Sequence, residues 1–364
     1  MGQTVPPTVS SIAPAAGVPR LARLDGLRGL AACGVAFGYH AANHFLPGPI
    51  ARTPLLLPFA WLQQWGWTMV DLFFVLSGFI FAHVYLTADA LRRPGALGDF
   101  AMARLARLYP LHLLLLFAVA MIETANPNNT LGAFVAHLLM VQALWPPVAQ
   151  SFVGPTWSIS VEVFCYALFA RTAAAGNRSL ALAGGLAMAW ALATLLVHGQ
   201  PGGPWSGDDF PRGFLGFFLG VALWRQRSAL ARLPWPVLAG ILILGLMIDM
   251  GAMSSVLPLS LLAWPAALLL ALRLPLLESR TMLWLGDRSY AIYLIHLPVI
   301  NLLLRRFDSS PAGLAEPLLA ITLATGITLL LAELSFRWIE QPARRRMRLW
   351  WDARRVQRGS PAVT

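Results

Sequence analysis

Residues 23–44 read RLDGLRGLAACGVAFGYHAANH, and this stretch decides the fold. Arg23, Asp25 and Arg28 stand at one end, His40 and His44 at the other, and no charged residue lies between Arg28 and His40. On a helix Arg28 and His40 are about 18 Å apart along the axis, so the arginine sits near one face of a bilayer while the imidazole lies deep inside it or near the far side. Such a helix touches both aqueous compartments. The i, i+4 spacing of His40 and His44 puts them on one face.

The rest of the chain repeats the apolar part of this pattern. Its 364 residues are 57% hydrophobic and 12% charged, with a mean hydropathy of +0.64, whereas a soluble domain carries roughly 25% charged residues. Lipid is the solvent these values imply. Apolar length and flanking arginines together place about ten crossings, near 26–46, 66–87, 106–123, 157–173, 180–198, 211–224, 235–251, 256–272, 289–304 and 317–338. The arginine-bearing joints then alternate between sides, and both termini are cytoplasmic. Residues 131–144 form an apolar run of about 14, short for a crossing, and read as a re-entrant or interfacial helix on the outer side. The expected fold is therefore all-α, a polytopic transmembrane bundle. Residues 1–20, rich in Pro, Ser, Thr and Ala, read as a disordered tail; 21–345 form the membrane domain, and 346–364 a basic tail.

The net charge of +11 comes entirely from arginine, since lysine is absent. In a soluble chain it would suggest nucleic acid. Here the arginines cluster at the ends of apolar segments, as the positive-inside rule expects, so no nucleic-acid partner is inferred. A share of the charge suits a phosphorylated ligand, which the planar guanidinium pairs well. Cys33 and Cys165 lie in apolar stretches and read as small core residues, with neither a disulfide nor a metal site implied.

A charged side chain in mid-crossing costs roughly 2.5–3.5 kcal/mol, so each one needs a reason. Beyond the first helix these are Asp71, Arg104 and Arg107, Glu162 in WSISVE, Tyr290, Tyr293 and His296 in SYAIYLIH, and Glu333. Clusters on separate helices have to satisfy one another or meet water. They predict a polar cavity within the bundle.

The ordered segments LDGLRGLAA, DLFFVLSGF, RLARLYPLHL, PTWSISVEVFCY, SYAIYLIHLP and ELSFRWIEQPARR resemble acyltransferase family 3, membrane O-acyltransferases of cell-envelope sugars, exopolysaccharides, Nod factors and macrolides. The resemblance runs from Leu24 to Arg345. In that family an arginine and a histidine on the first helix, separated by ten residues, are held essential, the histidine as the catalytic group. The matching Arg28 and His40 have eleven residues between them, with Tyr39 at the usual site. On a regular helix His40 lies about 120° from Arg28, against about 20° for Tyr39. A one-residue π-bulge restores the phase, and such bulges concentrate at functional sites. His44, about 160° from Arg28, is the second candidate.

The resemblance implies transfer of an acyl group, commonly acetyl, from a cytoplasmic acyl-CoA to a hydroxyl of an extracytoplasmic carbohydrate or glycosylated acceptor, at a bacterial cytoplasmic membrane. His40 is then the candidate base, since neutral imidazole suits removal of a hydroxyl proton. Glu162 is a candidate to hold that imidazole or the acceptor, and Ser77 to support the thioester oxygen. Arg28, Arg104 and Arg107 are candidates to pair with the phosphates, Arg104 and Arg107 being equally consistent with topological anchors. Tyr293 and His296 join the donor site, and no metal is called for. Trp61, Trp65, Trp67 and Trp205 read as interfacial anchors or as sugar platforms. The rival reading is a transporter of acyl groups or envelope precursors; neither repeated halves nor paired interrupted helices favour it.

Overall fold

The first helix runs unbroken as α-helix over Ala22–Cys33, π-helix over Gly34–Ala41 and α-helix again over Ala42–Phe45. This is seen in a computed structural model that describes residues 18–87, 89–123, 126–198, 208–248, 256–307 and 313–357. Among the described residues there is no strand. Five helices are long and apolar enough to cross a membrane: Leu57–Leu86, Ala96–Ile122, Gly154–Ala175, Asn177–His198 and Ala315–Arg355. The bundle is completed by the first helix, Asp209–Arg225, Trp235–Met247, Val256–Ala271 and Arg280–Leu304.

Each segment that hydropathy marks as a crossing overlies one of these helices, but several helices begin earlier. The segment 66–87 starts at Leu57, 106–123 at Ala96 and 289–304 at Arg280. Hydropathy marks the apolar length, whereas helical hydrogen bonding continues through the polar turns that precede it. Of the tail 1–20 expected to be disordered, 1–17 lie outside the described residues, as does Trp205, whereas Val18 is buried and Arg20 pairs with Asp25 and Asp287.

Close backbone approach fixes the helices that carry the polar groups. A Cβ on Gly78 would stand 1.8 Å from the Phe217 carbonyl oxygen, and one on Gly29 would stand 2.6 Å from the Gly286 amide nitrogen. Small residues at such crossings let helix axes come together, which is how association proceeds where lipid gives no hydrophobic gain. The first contact locks Met69–Leu86 against Asp209–Arg225, and the second locks the first helix against Arg280–Leu304. Between the former two, Arg212 reaches both oxygens of Asp71 at 3.0 and 2.8 Å, and its guanidinium faces the rings of Trp67 and Trp157 at 4.7 and 5.0 Å. Asp71 thereby has its partner, a forked pair in a fully buried setting.

The short segment over 131–144 is a helix only at Leu131–Leu138, followed by 3-10 turns at Gln142–Leu144 and Gly154–Thr156 and one helical turn at Pro146–Ala149. Buried His137 organises it. Its Nε2 meets Ser151 Oγ at 2.9 Å, its Nδ1 meets Thr156 Oγ1 at 3.2 Å, and its carbonyl oxygen accepts from His112 Nε2 at 2.8 Å. Met140 and Phe152 have positive φ, 56° and 50°, so this irregular backbone is held by its surroundings against a cost of about 1 kcal/mol or more each. The basic region after the last apolar segment is helical over Gln341–Gln357 and is tied to the Ala96–Ile122 helix, where Asp99 accepts from Arg355 at 2.6 Å and from Trp351 Nε1 at 2.9 Å.

Candidate active site

A cavity of about 80 Å³ opens between the first helix and the Met69–Leu86, Ala96–Ile122, Trp157–Ala175 and Arg280–Leu304 helices. Seven polar residues singled out in the sequence line it together: Arg28, Ser77, Arg104, Arg107, Glu162, Tyr290 and Tyr293. Arg28 is set by the close approach of Gly29 to Gly286. From there its Nε donates to Ser289 Oγ at 2.9 Å and its Nη2 to the Gly286 carbonyl at 2.9 Å, while Asp25 lies 2.9 Å from Nη2. Arg104 is held differently. Its guanidinium lies 4.9 Å from the Phe81 ring centroid, and its Nε and Nη1 are buried without a hydrogen-bond partner among the described residues. Leaving charged donors unpaired in a buried site is costly, and an anionic ligand would satisfy them.

Glu162 occupies the wall between these arginines and the aromatic residues. It accepts a hydrogen bond from Ser77 Oγ at 2.7 Å and a second, short one from the Tyr166 hydroxyl. Of the two tasks expected of Glu162, holding His40 or holding the acceptor, the first is not what its bonds show, since the carboxylate accepts from hydroxyls on its own and a neighbouring helix. The proton of Ser77 is likewise committed to Glu162 rather than offered to a thioester oxygen. Tyr293 closes the far end of the cavity, its hydroxyl 3.0 Å from Ser158 Oγ and its ring edge-to-face with Phe73 at 5.6 Å.

His296 lies one helical turn beyond Tyr293, fully buried, and its Nε2 is 3.0 Å from His40 Nδ1. This corrects its expected place in the donor site; it belongs to the histidine on the first helix. The hydrogen positions follow from chemistry. His296 Nδ1 faces the Ile292 carbonyl oxygen at 3.2 Å, which can only accept, so Nδ1 carries the hydrogen and Nε2 the lone pair. His40 then donates from Nδ1 and keeps its own lone pair on Nε2, the tautomer a general base requires. His44 is exposed and uses Nδ1 to reach the His40 carbonyl oxygen at 2.7 Å. The π-helical segment Gly34–Ala41 contains His40, so the extra residue between Arg28 and His40 is absorbed where the phase demands it.

Known proteins place the chain. The family profile for the acyltransferase domain matches residues 21–335. The chain belongs to acyltransferase family 3. Acyltransferase family 3 relatives include the acyltransferase MdmB of Streptomyces mycarofaciens, 33% identical over 161 residues, which are 42% of this chain and 39% of that protein. The putative peptidoglycan O-acetyltransferase YrhL of Bacillus subtilis is 28% identical over 374 aligned residues, covering 88% of this chain and 54% of its own length. The peptidoglycan O-acetyltransferase OatA of Listeria monocytogenes is 25% identical, with 88% of this chain and 55% of its own length covered. The chain thus spans about half the length of the two relatives that match most of it. No solved structure matches it.

Within this acyltransferase domain, sequence reasoning missed several lining residues. Tyr166 and Ser158 each lie four residues from Glu162 on one helix face, a spacing that would have flagged them. Ser289 lines the cavity as well, beside Tyr290, which the sequence had singled out and which donates to the Leu108 carbonyl at 2.5 Å. Arg212 gave no signal beyond Asp71 needing a partner. Trp67 turns out to be buried against Arg212, a packing position rather than a sugar platform. Among the described residues no His, Cys, Asp or Glu group is arranged to hold a metal ion.

Proposed function

We propose that the protein is a multi-pass O-acyltransferase of a bacterial cytoplasmic membrane that moves an acyl group, acetyl first among them, from cytoplasmic acyl-CoA to a hydroxyl of an extracytoplasmic carbohydrate. The reading carries the ten-crossing topology with both termini inside, which puts the arginine end of the cavity toward the cytoplasm. One observation supports it above the rest: a lone-pair-bearing His40 Nε2, fixed by His296, stands beyond the Tyr293 end of a cavity that also holds the unsatisfied guanidinium of Arg104. The names of YrhL and OatA make peptidoglycan the first acceptor to test.

In this reading Arg28, Arg104 and Arg107 hold the donor's phosphates at the arginine end. The thioester is directed past Tyr293 toward His40. His40 Nε2 takes the hydroxyl proton of the acceptor as its oxygen attacks the thioester carbonyl carbon; the carbon–sulfur bond breaks, and the departing sulfur receives that proton from His40. The ester and the free thiol are the products. His296 accepts from His40 Nδ1 throughout and spreads the positive charge that forms on the imidazole. Reaction at a buried site of this kind excludes water, which would otherwise compete as the acyl acceptor.

The test is transfer of label from radiolabelled acetyl-CoA into envelope glycans by membranes containing the wild type or His40→Ala at matched expression. Label that depends on His40 is the expected result. Equal label in both overturns the assignment of the base, and donor uptake without ester formation would favour the transporter.

A further inference from the structure

The last long helix changes character where the family match ends. After Ala315–Ser335 the backbone widens into a π-helical turn, Phe336–Glu340, before continuing as Gln341–Gln357. The turn leaves Glu340 facing inward, 1% exposed, where it accepts a hydrogen bond from Arg344 Nη2 at 2.8 Å. Arg345, Arg346 and Arg348 on the same helix are exposed or nearly so, as topological anchors should be. Arg344 is not: it is partly buried, on a helix that packs against Ala96–Ile122, the helix that carries Arg104 and Arg107.

Three guanidinium groups line the cavity, and Arg344 stands on a helix packed against the one that carries two of them. Glu340 is the carboxylate paired to Arg344, and the pair is incomplete. Glu340 Oε1 and Arg344 Nε are buried without hydrogen-bond partners among the described residues, as are Nε and Nη1 of Arg104. Gathered cations repel one another by several kcal/mol at short range in a medium of low dielectric, unless a polyanion lies among them. Unpaired donors on two different helices mark where its oxygens belong.

We propose that Arg344, held in place by Glu340, is a further contact for the donor's phosphate groups and makes the enzyme select a coenzyme A thioester over the same acyl group on unphosphorylated pantetheine. The inference rests on reading the cavity as the acyl-CoA site. Arg344 lies beyond the matched residues 21–335, within the segment ELSFRWIEQPARR.

The experiment compares kcat/KM for acetyl-CoA and for acetyl-pantetheine, using the full chain in membranes or detergent. In Arg344→Gln the ratio of the two is expected to fall about tenfold or more, the loss of one charge-assisted bond to phosphate, and in Arg344→Lys it is expected to recover most of that loss. Arg344→Met replaces the glutamine variant if the latter does not accumulate. A fall that is equal for both donors, or an unchanged ratio, overturns the proposal. Arg104→Gln separates the two levels of the argument. If it lowers the ratio while Arg344→Gln does not, Arg344 alone is excluded; if the wild type treats both donors alike and Arg104→Gln changes nothing, the acyl-CoA reading of the cavity falls, and this inference with it.

Discussion

Removing His296 should disable His40 without touching it. The two rings meet through one hydrogen bond of 3.0 Å, and that bond helps to decide which nitrogen of His40 keeps its lone pair. A neutral hydrogen bond of this kind contributes about 1–1.5 kcal/mol, and loss of the correct tautomer and ring orientation adds to it, so His296→Ala should lower kcat/KM by about ten- to a hundredfold. His40→Ala removes the base itself and should cost about 10²- to 10⁴-fold. Residues that act as a unit are not additive, so the double variant should match His40→Ala, because no imidazole remains to be oriented. The assay is acetyl transfer at saturating and limiting acceptor with matched protein levels. A double variant whose loss is the product of the two single losses would refute the pairing. His40→Ala with full activity would refute the base, and then His44 is the residue to substitute next.

Arg104→Gln should raise KM for acetyl-CoA by about tenfold or more with little change in kcat, and the wild-type KM should itself rise with ionic strength, as read from initial rates. Phe73→Ala opens the edge-to-face contact with Tyr293 at the inner end of the cavity, so activity with butyryl-CoA relative to acetyl-CoA should rise, measured by competition between the two donors. Asp71→Asn strands the fully buried Arg212 guanidinium and should destabilise the protein by about 3–5 kcal/mol, lowering its unfolding temperature in detergent. Combining it with Arg212→Met should restore part of that loss. Gly78→Ala should separate Met69–Leu86 from Asp209–Arg225 and reduce the folded fraction recovered, since its Cβ would meet a backbone oxygen rather than a flexible side chain.

The long helices were legible because each carries an apolar run sufficient for a crossing, and a run of that length has few alternatives. Their polar ends were not. The turns before Phe100 and Met282 look in sequence like the loops they join, and only hydrogen bonding in three dimensions makes them helical. The cavity was legible in its membership: the charges and hydroxyls on separate helices had to satisfy one another somewhere. Its wiring was not. Glu162 can serve equally well as a partner for an imidazole or for hydroxyls, and the choice of Ser77 and Tyr166 is made by helix packing around Gly78 and Phe217. His296 was visible as a histidine out of place, but its partner lies 256 residues away. The phase defect between Arg28 and His40 was the one local anomaly whose cure could be read in advance, since helical geometry leaves few ways to absorb one residue.

The arrangement of the two histidines also bears on whether the acyl group passes directly to the acceptor. A nucleophilic histidine needs its Nε2 lone pair and little else, whereas a base must hold a proton through the step and give it up again. The hydrogen bond between His40 and His296 suits the second task. Its Nδ1 hydrogen points at the lone pair of His296, so a proton arriving at Nε2 can be shared across the pair while His296 Nδ1 remains bonded to the Ile292 carbonyl oxygen. That relay stabilises a transient imidazolium, and an Nε2-acylated ring, itself a cation while Nδ1 keeps its hydrogen, would share the same bond, so trapping is what tells the two routes apart. We propose direct transfer through a complex of donor, enzyme and acceptor. It predicts that wild-type protein incubated with labelled acetyl-CoA and no acceptor, then quenched and freed of coenzyme A, retains no stoichiometric label. A labelled protein that acetylates a later-added glycan in the absence of coenzyme A would show that a covalent relay carries the acyl group instead.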